Sequence, residues 1–212
     1  NVQKLVEGGV KANLATLSPV LSPMLWTSIA TGMRPFKHGI LGFSEPTADG
    51  KEVQPVTNLS RKTKAVWNIL NQNDKRCHVV GWWPSHPAEP INGVMVSNHY
   101  QRAPKGVDRN WVMAPGTVHP KRLEETLAEL RFHPLELTPE HVLPFVPEGH
   151  KIDQTKDRRL DMLMRIIADC TSIQSCATHL LEHEPWDFAA VYFDAIDHFG
   201  HGFMQYNPPK QD

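Results

Sequence analysis

The sequence predicts an α/β protein with a mostly parallel central sheet flanked by helices. Two stretches carry that prediction. Arg61 to Asn73, RKTKAVWNILNQN, is amphipathic, with Ala65, Val66, Ile69 and Leu70 at helical spacing, and CHVVGWW at 77–83 follows it as a buried strand. A helix feeding a strand in this way is the order that builds parallel sheets from βαβ units. Further on, Asp157 to Glu184 holds the longest apolar stripe, through Leu160, Leu163, Met164, Ile167, Cys170, Ile173, Ala177, Leu180 and Leu181. Pro185 ends it, and FAAVYF at 188–193 reads as a strand buried on both faces, as central strands of parallel sheets are. A chain of 212 residues has room for one sizeable domain with a core, and 40% hydrophobic with 21% charged residues is the balance of a folded globular chain.

Taken in order, Val2 to Val10 has apolar residues near helical spacing and stops after Gly8-Gly9, so a short helix is expected there, followed by a short strand over Ala12 to Leu17. Ser22-Pro23 precedes MLWTSIA and opens a helix, since Ser is a favoured N-cap and Pro a favoured first helical residue. A hydroxyl there faces unpaired N–H groups and the positive end of the helix dipole. Ser22 is therefore either an ordinary cap, the commoner use, or a nucleophile. TGMRPFKHGILG at 31–42 reads as turns. Arg34 and Lys37 could face a phosphate, although loop cations are more often solvated, and His38 reads as a structural histidine. Ser44 to Ser60 is a polar surface excursion. Trp82, Trp83, Pro84 and His86 follow the strand at 77–83, where open α/β sheets place ligands; the tryptophans either stack on a ligand or, more commonly, pack as a wall. Val94 to Ser97 is a short strand. Tyr100 to Lys156 is rich in Pro and His, with helices expected at 120–132 and 139–145, and reads as a helical, irregular cap or lid insertion. It divides an N-terminal part of the core, 1–99, from a return to the core at 157–212.

Composition limits the function classes. The formal net charge is -1, and no basic stripe with interleaved aromatics appears, which argues against nucleic acid and anionic membranes as partners. No apolar run approaches the roughly 20 residues that span a bilayer. The start has neither a signal-peptide core nor an initiator Met, as an excised fragment would. Cys77, Cys170 and Cys176 show no CxxC spacing, and their odd number gives no disulfide framework and leans towards a reducing compartment such as the cytoplasm. Among 12 histidines, spacing singles out those in DAIDHFGH, residues 194–201, directly after the 188–193 strand. Asp197 and His201 are four residues apart, so one helical turn projects both from one face. Carboxylate oxygen with imidazole nitrogen suits zinc, with manganese or iron as weaker choices. Under the metal reading Asp194 and His198 would be groups that orient the ligands, and a polar loop is the competing reading.

Two motifs carry a resemblance. SPMLWTSIATGMRPFKHGI, with Thr31-Gly32 and His38-Gly39-Ile40, resembles the nucleophile segment of the alkaline phosphatase superfamily, and more narrowly of the type I phosphodiesterase/nucleotide pyrophosphatase family; DAIDHFGH resembles that family's Asp-x-x-Gly-His metal motif. The resemblance implies an alkaline-phosphatase-like α/β fold and a metal-dependent hydrolase of small phosphoesters. Ser22 would be nucleophile and metal ligand, Asp197 and His201 metal ligands, and two divalent ions the cofactors, zinc first and manganese second. A covalent phospho-Ser22 intermediate would form and be released by water. The family completes its two metals with an upstream Asp, a later His and a later Asp-His pair, none of which lies in these 212 residues, so the isolated chain is expected to be weakly active or inactive. Pro23-Met24-Leu25-Trp26 after Ser22 does not match the formylglycine motif of sulfatases. Leu25 stands where nucleotide pyrophosphatases often have Asn, which loosens the implication of nucleotide substrates. Phosphodiesters are the first expectation, phosphomonoesters the alternative, and a non-catalytic α/β binding module related to the family the reading from another class.

Overall fold

The computed structural model describes residues 2–104 and 111–207. Its elements in chain order are α1 (Val2–Gly8), α2 (Ser22–Thr31), α3 (Pro35–His38), β1 (Ser44–Pro46), β2 (Val53–Pro55), α4 (Val66–Asn71), β3 (Cys77–Val80), β4 (Gly93–Val96), β5 (Val118–His119), α5 (Glu124–Glu129), α6 (Pro139–Val142), α7 (Arg159–His183), β6 (Phe188–Val191) and α8 (Ala195–Phe203). The main sheet runs β5-β4-β3-β6. β3 pairs in parallel with both β4 and β6, and only the two-residue edge strand β5 is antiparallel. β1 and β2 form a separate antiparallel pair inside the stretch expected to be surface loop. The fold is thus α/β with a mostly parallel sheet and flanking helices, as expected.

The strands alternate their side chains between two cores, as the pleat requires. On one face Val80 of β3 and Val94 and Val96 of β4 pack against Ile173, Cys176 and Leu180 of α7. On the other, Cys77 and Val79 of β3 and Met95 of β4 pack against Ala30 of α2 and against Ala65 and Trp67 at the start of α4. Burial of each such side chain contributes about 1.5–3 kcal/mol. Tyr100, Val118, Leu123 and Leu127, from the 100–156 segment, close the α7 side. The Tyr100 hydroxyl there donates to the Leu127 carbonyl at 2.7 Å.

Several expectations are corrected. Residues 12–17 form no strand: 12–16 are exposed, Leu17 is half-buried, and none pairs with a strand among the described residues. The helix expected over 61–73 begins only at Val66. The Arg61 guanidinium donates to the Thr63 carbonyl, Asn68 Oδ1 and Glu89, and Ala65 N–H donates to Asn68 Oδ1, so side chains take the groups a longer helix would have used. The 120–132 pattern gives a 3₁₀ turn at Lys121–Leu123 and a short α5, and the 139–145 pattern gives only α6. No helix of the described residues is long and apolar enough to cross a membrane.

Candidate active site

β3, β4 and β6 point the same way, so their carboxyl ends lie together, and the chain beyond each end builds one rim. Gly81 follows β3 at φ +69, in the left-handed region that L side chains rarely adopt, and an added Cβ would stand 2.8 Å from Ile173 Cδ1. Asn98, Gln101 and Arg102 follow β4, and Tyr192 and Asp194 follow β6. A cavity of about 250 Å³ is lined by all of these together with Phe43, Trp83, Ser22, Asp197, His198 and His201. The three residues singled out in the sequence, Ser22, Asp197 and His201, therefore face one space.

α2 brings Ser22 there. Leu21, extended at φ -122 and ψ 118, is the cap residue, and Ser22 is the first residue inside the helix. No side chain caps α2, and the Ser22 hydroxyl has no hydrogen-bond partner among the described residues, so the cap reading of Ser22 is corrected. The hydroxyl is left available on a half-buried residue. Behind it the helix is pinned. Thr27 and Ser28 hydroxyls donate to the Pro23 and Met24 carbonyls at 2.7 and 2.9 Å. Ile40 N–H donates to His38 Nδ1 at 3.2 Å, so His38 carries its proton on Nε2 and donates it to Ser28 Oγ at 2.9 Å. Burial pushes the His38 pKa below the ordinary histidine value, with a contact to the Met24 backbone opposing it. His38 is the structural histidine expected. The Trp26 ring meets Tyr192 at 4.6 Å and Trp82 at 5.5 Å, both edge-on, and Trp82 Nε1 donates to the Trp26 carbonyl. The two tryptophans thus divide: Trp82 packs as a wall, and Trp83 lines the cavity, its ring 5.4 Å from that of Phe43.

α8 brings the second group. Asp194 is its cap residue, Asp197 lies in its first turn and His201 in its last. His201 Nε2 lies 3.6 Å from Asp197 Oδ1, and His198 Nε2 lies 3.5 Å from Asp194 Oδ2. The Asp197 and His201 side chains are 57% and 79% exposed, so no wall of the protein fixes their rotamers. A Cβ at Gly200 would meet only Met204 Cε, at 3.9 Å, whereas one at Gly202 would stand 2.6 Å from Met162 Cε of α7. That close approach seats α8 on α7. Burial, with the charges of Asp194 and Asp197 behind it, pushes the Tyr192 phenol up to about 12. Burial, and then the charge of Asp194, pushes the Asp169 carboxyl on α7 up to about 7, so this group changes charge near neutrality.

The donors on α8 were tested against the needs of a metal. Carboxylate and imidazole are the right kinds of ligand, but no three His, Cys, Asp or Glu side chains among the described residues converge to hold one ion. A zinc site takes three or four protein ligands, so Asp197 and His201 supply part of one. Arg34 and Lys37 do not line the cavity. Among the described residues its one Arg or Lys is Arg102, which is exposed and makes no ion pair or hydrogen bond to them. Sequence reasoning missed Arg102, Gln101, Asn98 and Phe43. Their signal was only position, in the loops after β4 and before β1, where no motif marked them.

A family model described as type I phosphodiesterase / nucleotide pyrophosphatase matches residues 1–210. No curated protein and no solved structure matches the chain.

Proposed function

The chain belongs to the type I phosphodiesterase / nucleotide pyrophosphatase family, whose members are phosphoester hydrolases, and on that premise we propose that Ser22 is the nucleophile of a metal-dependent phosphodiesterase. The observation that carries this reading is the shared cavity: a free hydroxyl at a helix start and the Asp197–His201 pair line one space, although they are far apart in the chain. In the proposed reaction Ser22 Oγ attacks phosphorus in line and loses its proton, the leaving alkoxide departs protonated by water, and phospho-Ser22 is then hydrolysed. The unpaired N–H groups at the start of α2 are suited to hold phosphoryl oxygens as charge builds on them. Asp197 and His201 would contribute one oxygen and one nitrogen to a divalent cation, zinc by preference with manganese second, and further ligands would come from outside the described residues. When bound, such a cation lowers the pKa of a coordinated hydroxyl and offsets phosphoryl charge.

Phosphodiesters are favoured over phosphomonoesters by the space next door. A groove of about 870 Å³ shares Phe43, Trp83, Asn98 and Arg102 with the smaller cavity and would receive a second ester substituent. In the full-length protein, Ser22→Ala should lower hydrolysis of bis(p-nitrophenyl) phosphate by roughly three orders of magnitude or more, since loss of a nucleophile removes the covalent route. Turnover retained in that variant would exclude the assignment.

A further inference from the structure

Gln101 and Arg102 stand side by side on the loop after β4, and both line the cavity that holds Ser22. Arg102 also lines the adjoining groove, and among the described residues no other Arg or Lys lines either space. Among the described residues, the fixed charges facing the smaller cavity are thus Asp194 and Asp197 against Arg102. Of these, Arg102 is the one that attracts a phosphoester anion. The guanidinium makes no ion pair or hydrogen bond among the described residues, although its charge, with that of Arg165, opposes the rise at the Asp169 carboxyl. Its charge reaches both spaces: it lowers the pKa of His99 in the groove wall, after burial and His86, and opposes the rise at Tyr192.

Gln101 supplies a second, independent sign of a ligand. The residue is only 2% exposed, and its side-chain Oε1 is buried with no hydrogen-bond partner among the described residues. A buried acceptor left unpaired costs about 1–3 kcal/mol, so a native structure keeps one where something donates to it. Gln101 lines the cavity, so a ligand held there lies beside this side chain.

Resting on the reading of Ser22 as nucleophile, we propose that Arg102 binds the non-bridging oxygens of the phosphoryl group and that Gln101 accepts a hydrogen bond from a hydroxyl on the ester substituent. The substrate class is then a phosphodiester that carries a free hydroxyl close to its phosphorus. Arg102 sits where the two spaces meet, so its hold on the phosphoryl group directs that substituent past Gln101 or out into the groove. Neither residue takes part in bond making; together they set affinity and preference.

The test uses the full-length protein and two readouts. Binding of inorganic phosphate, measured by calorimetry, should weaken roughly ten- to a hundredfold in Arg102→Gln and recover in part in Arg102→Lys, because a charge-assisted hydrogen bond is lost and then replaced by a point charge. Hydrolysis is then compared on the 3-hydroxypropyl and n-propyl esters of p-nitrophenyl phosphate, which differ by one hydroxyl. The wild type should prefer the hydroxylated ester by roughly fivefold or more in kcat/KM, and Gln101→Met, close in length and able to stay buried, should erase that preference. A Gln101→Met protein that melts well below the wild type is replaced by Gln101→Leu for the same comparison. Phosphate affinity unchanged in Arg102→Gln overturns the anion site, and a preference absent in the wild type or retained in Gln101→Met overturns the hydroxyl contact. Ser22→Ala separates the two layers: it should keep phosphate binding while losing turnover. Arg102-dependent binding alongside turnover that ignores Ser22 would sink the nucleophile and keep the anion site.

Discussion

The start of α2 and the outer face of α8 reach one cavity from two sides, and different forces hold them there. α2 is fastened from behind. Met24, Thr27 and Ala30 are buried, His38 donates to Ser28, and Trp26 wedges against Tyr192 and Trp82. α8 is fastened at its ends, by buried Ala195 and by the close seating of Gly202 on Met162, while Ile196 lies 83% exposed and the Asp197–His201 pair reaches into solvent. A nucleophile gains from a fixed approach to phosphorus, because misplacement of a reacting atom by an ångström costs rate. A pair of metal ligands can be ordered by the ion itself, since binding energy organises the side chains. The difference between the two sides is the one that the proposed roles of Ser22 and of the Asp197–His201 pair call for.

That contrast can be broken at several points. The largest effect is expected on the α8 side. His201→Ala and Asp197→Asn in the full-length protein should each weaken zinc binding, measured by competition with a chelating dye, by more than the roughly 10- to 100-fold that loss of a supporting partner costs. Melting of the metal-free variants should stay within about 0.5 kcal/mol of wild type, because both side chains are exposed. A large loss of stability with unchanged metal affinity would reverse the roles of the two sides. Next comes the core beneath them. Leu180→Ala, at a fully buried α7 position, should cost about 2–5 kcal/mol in denaturant unfolding while kcat under native conditions changes little. An activity loss larger than the stability loss explains would mean that α7 feeds directly into the site.

On the α2 side, His38→Ala strands the Ile40 N–H, removes the donor to Ser28 Oγ and opens a small cavity, for about 2–4 kcal/mol. It should also lower kcat without changing zinc affinity, and an effect on zinc affinity alone would deny the pinning role. The smallest effect is on pH. The folded pKa of His38 is held below its unfolded value by burial. Its contribution is therefore present above about pH 6.5 and is lost as pH falls from there towards the lower folded value, because the unfolded chain then binds the extra proton. His38→Gln should flatten the acid limb of the stability profile over that window; an unaltered limb would show that other groups carry it.

The sequence made some of this architecture legible because periodicity is local. The stripe from Leu160 to Leu181 marked α7 within a few residues, and CHVV and FAAV marked strands that turned out to be neighbours in the sheet. Ser22, Asp197 and His201, which line one cavity, were singled out because each stands in a motif with fixed spacing. What stayed hidden depended on partners elsewhere in the fold. The pairing of Val118 with Val96 needs two residues from a segment without strand pattern. The early stop of the helix before Val66 is set by where the Arg61 and Asn68 side chains turn. Gln101 and Arg102 looked like ordinary loop residues, and only the shared carboxyl end of β3, β4 and β6 turns them towards Ser22.

The most direct measurement on the central claim is peptide mapping of acid-quenched turnover. Full-length protein hydrolysing a phosphodiester should yield a phosphorylated peptide whose modified residue is Ser22, accumulating when the second step is slowed at low pH. Label carried by any other residue, or steady turnover in which no phosphoprotein forms while water attacks phosphorus directly, would contradict the account.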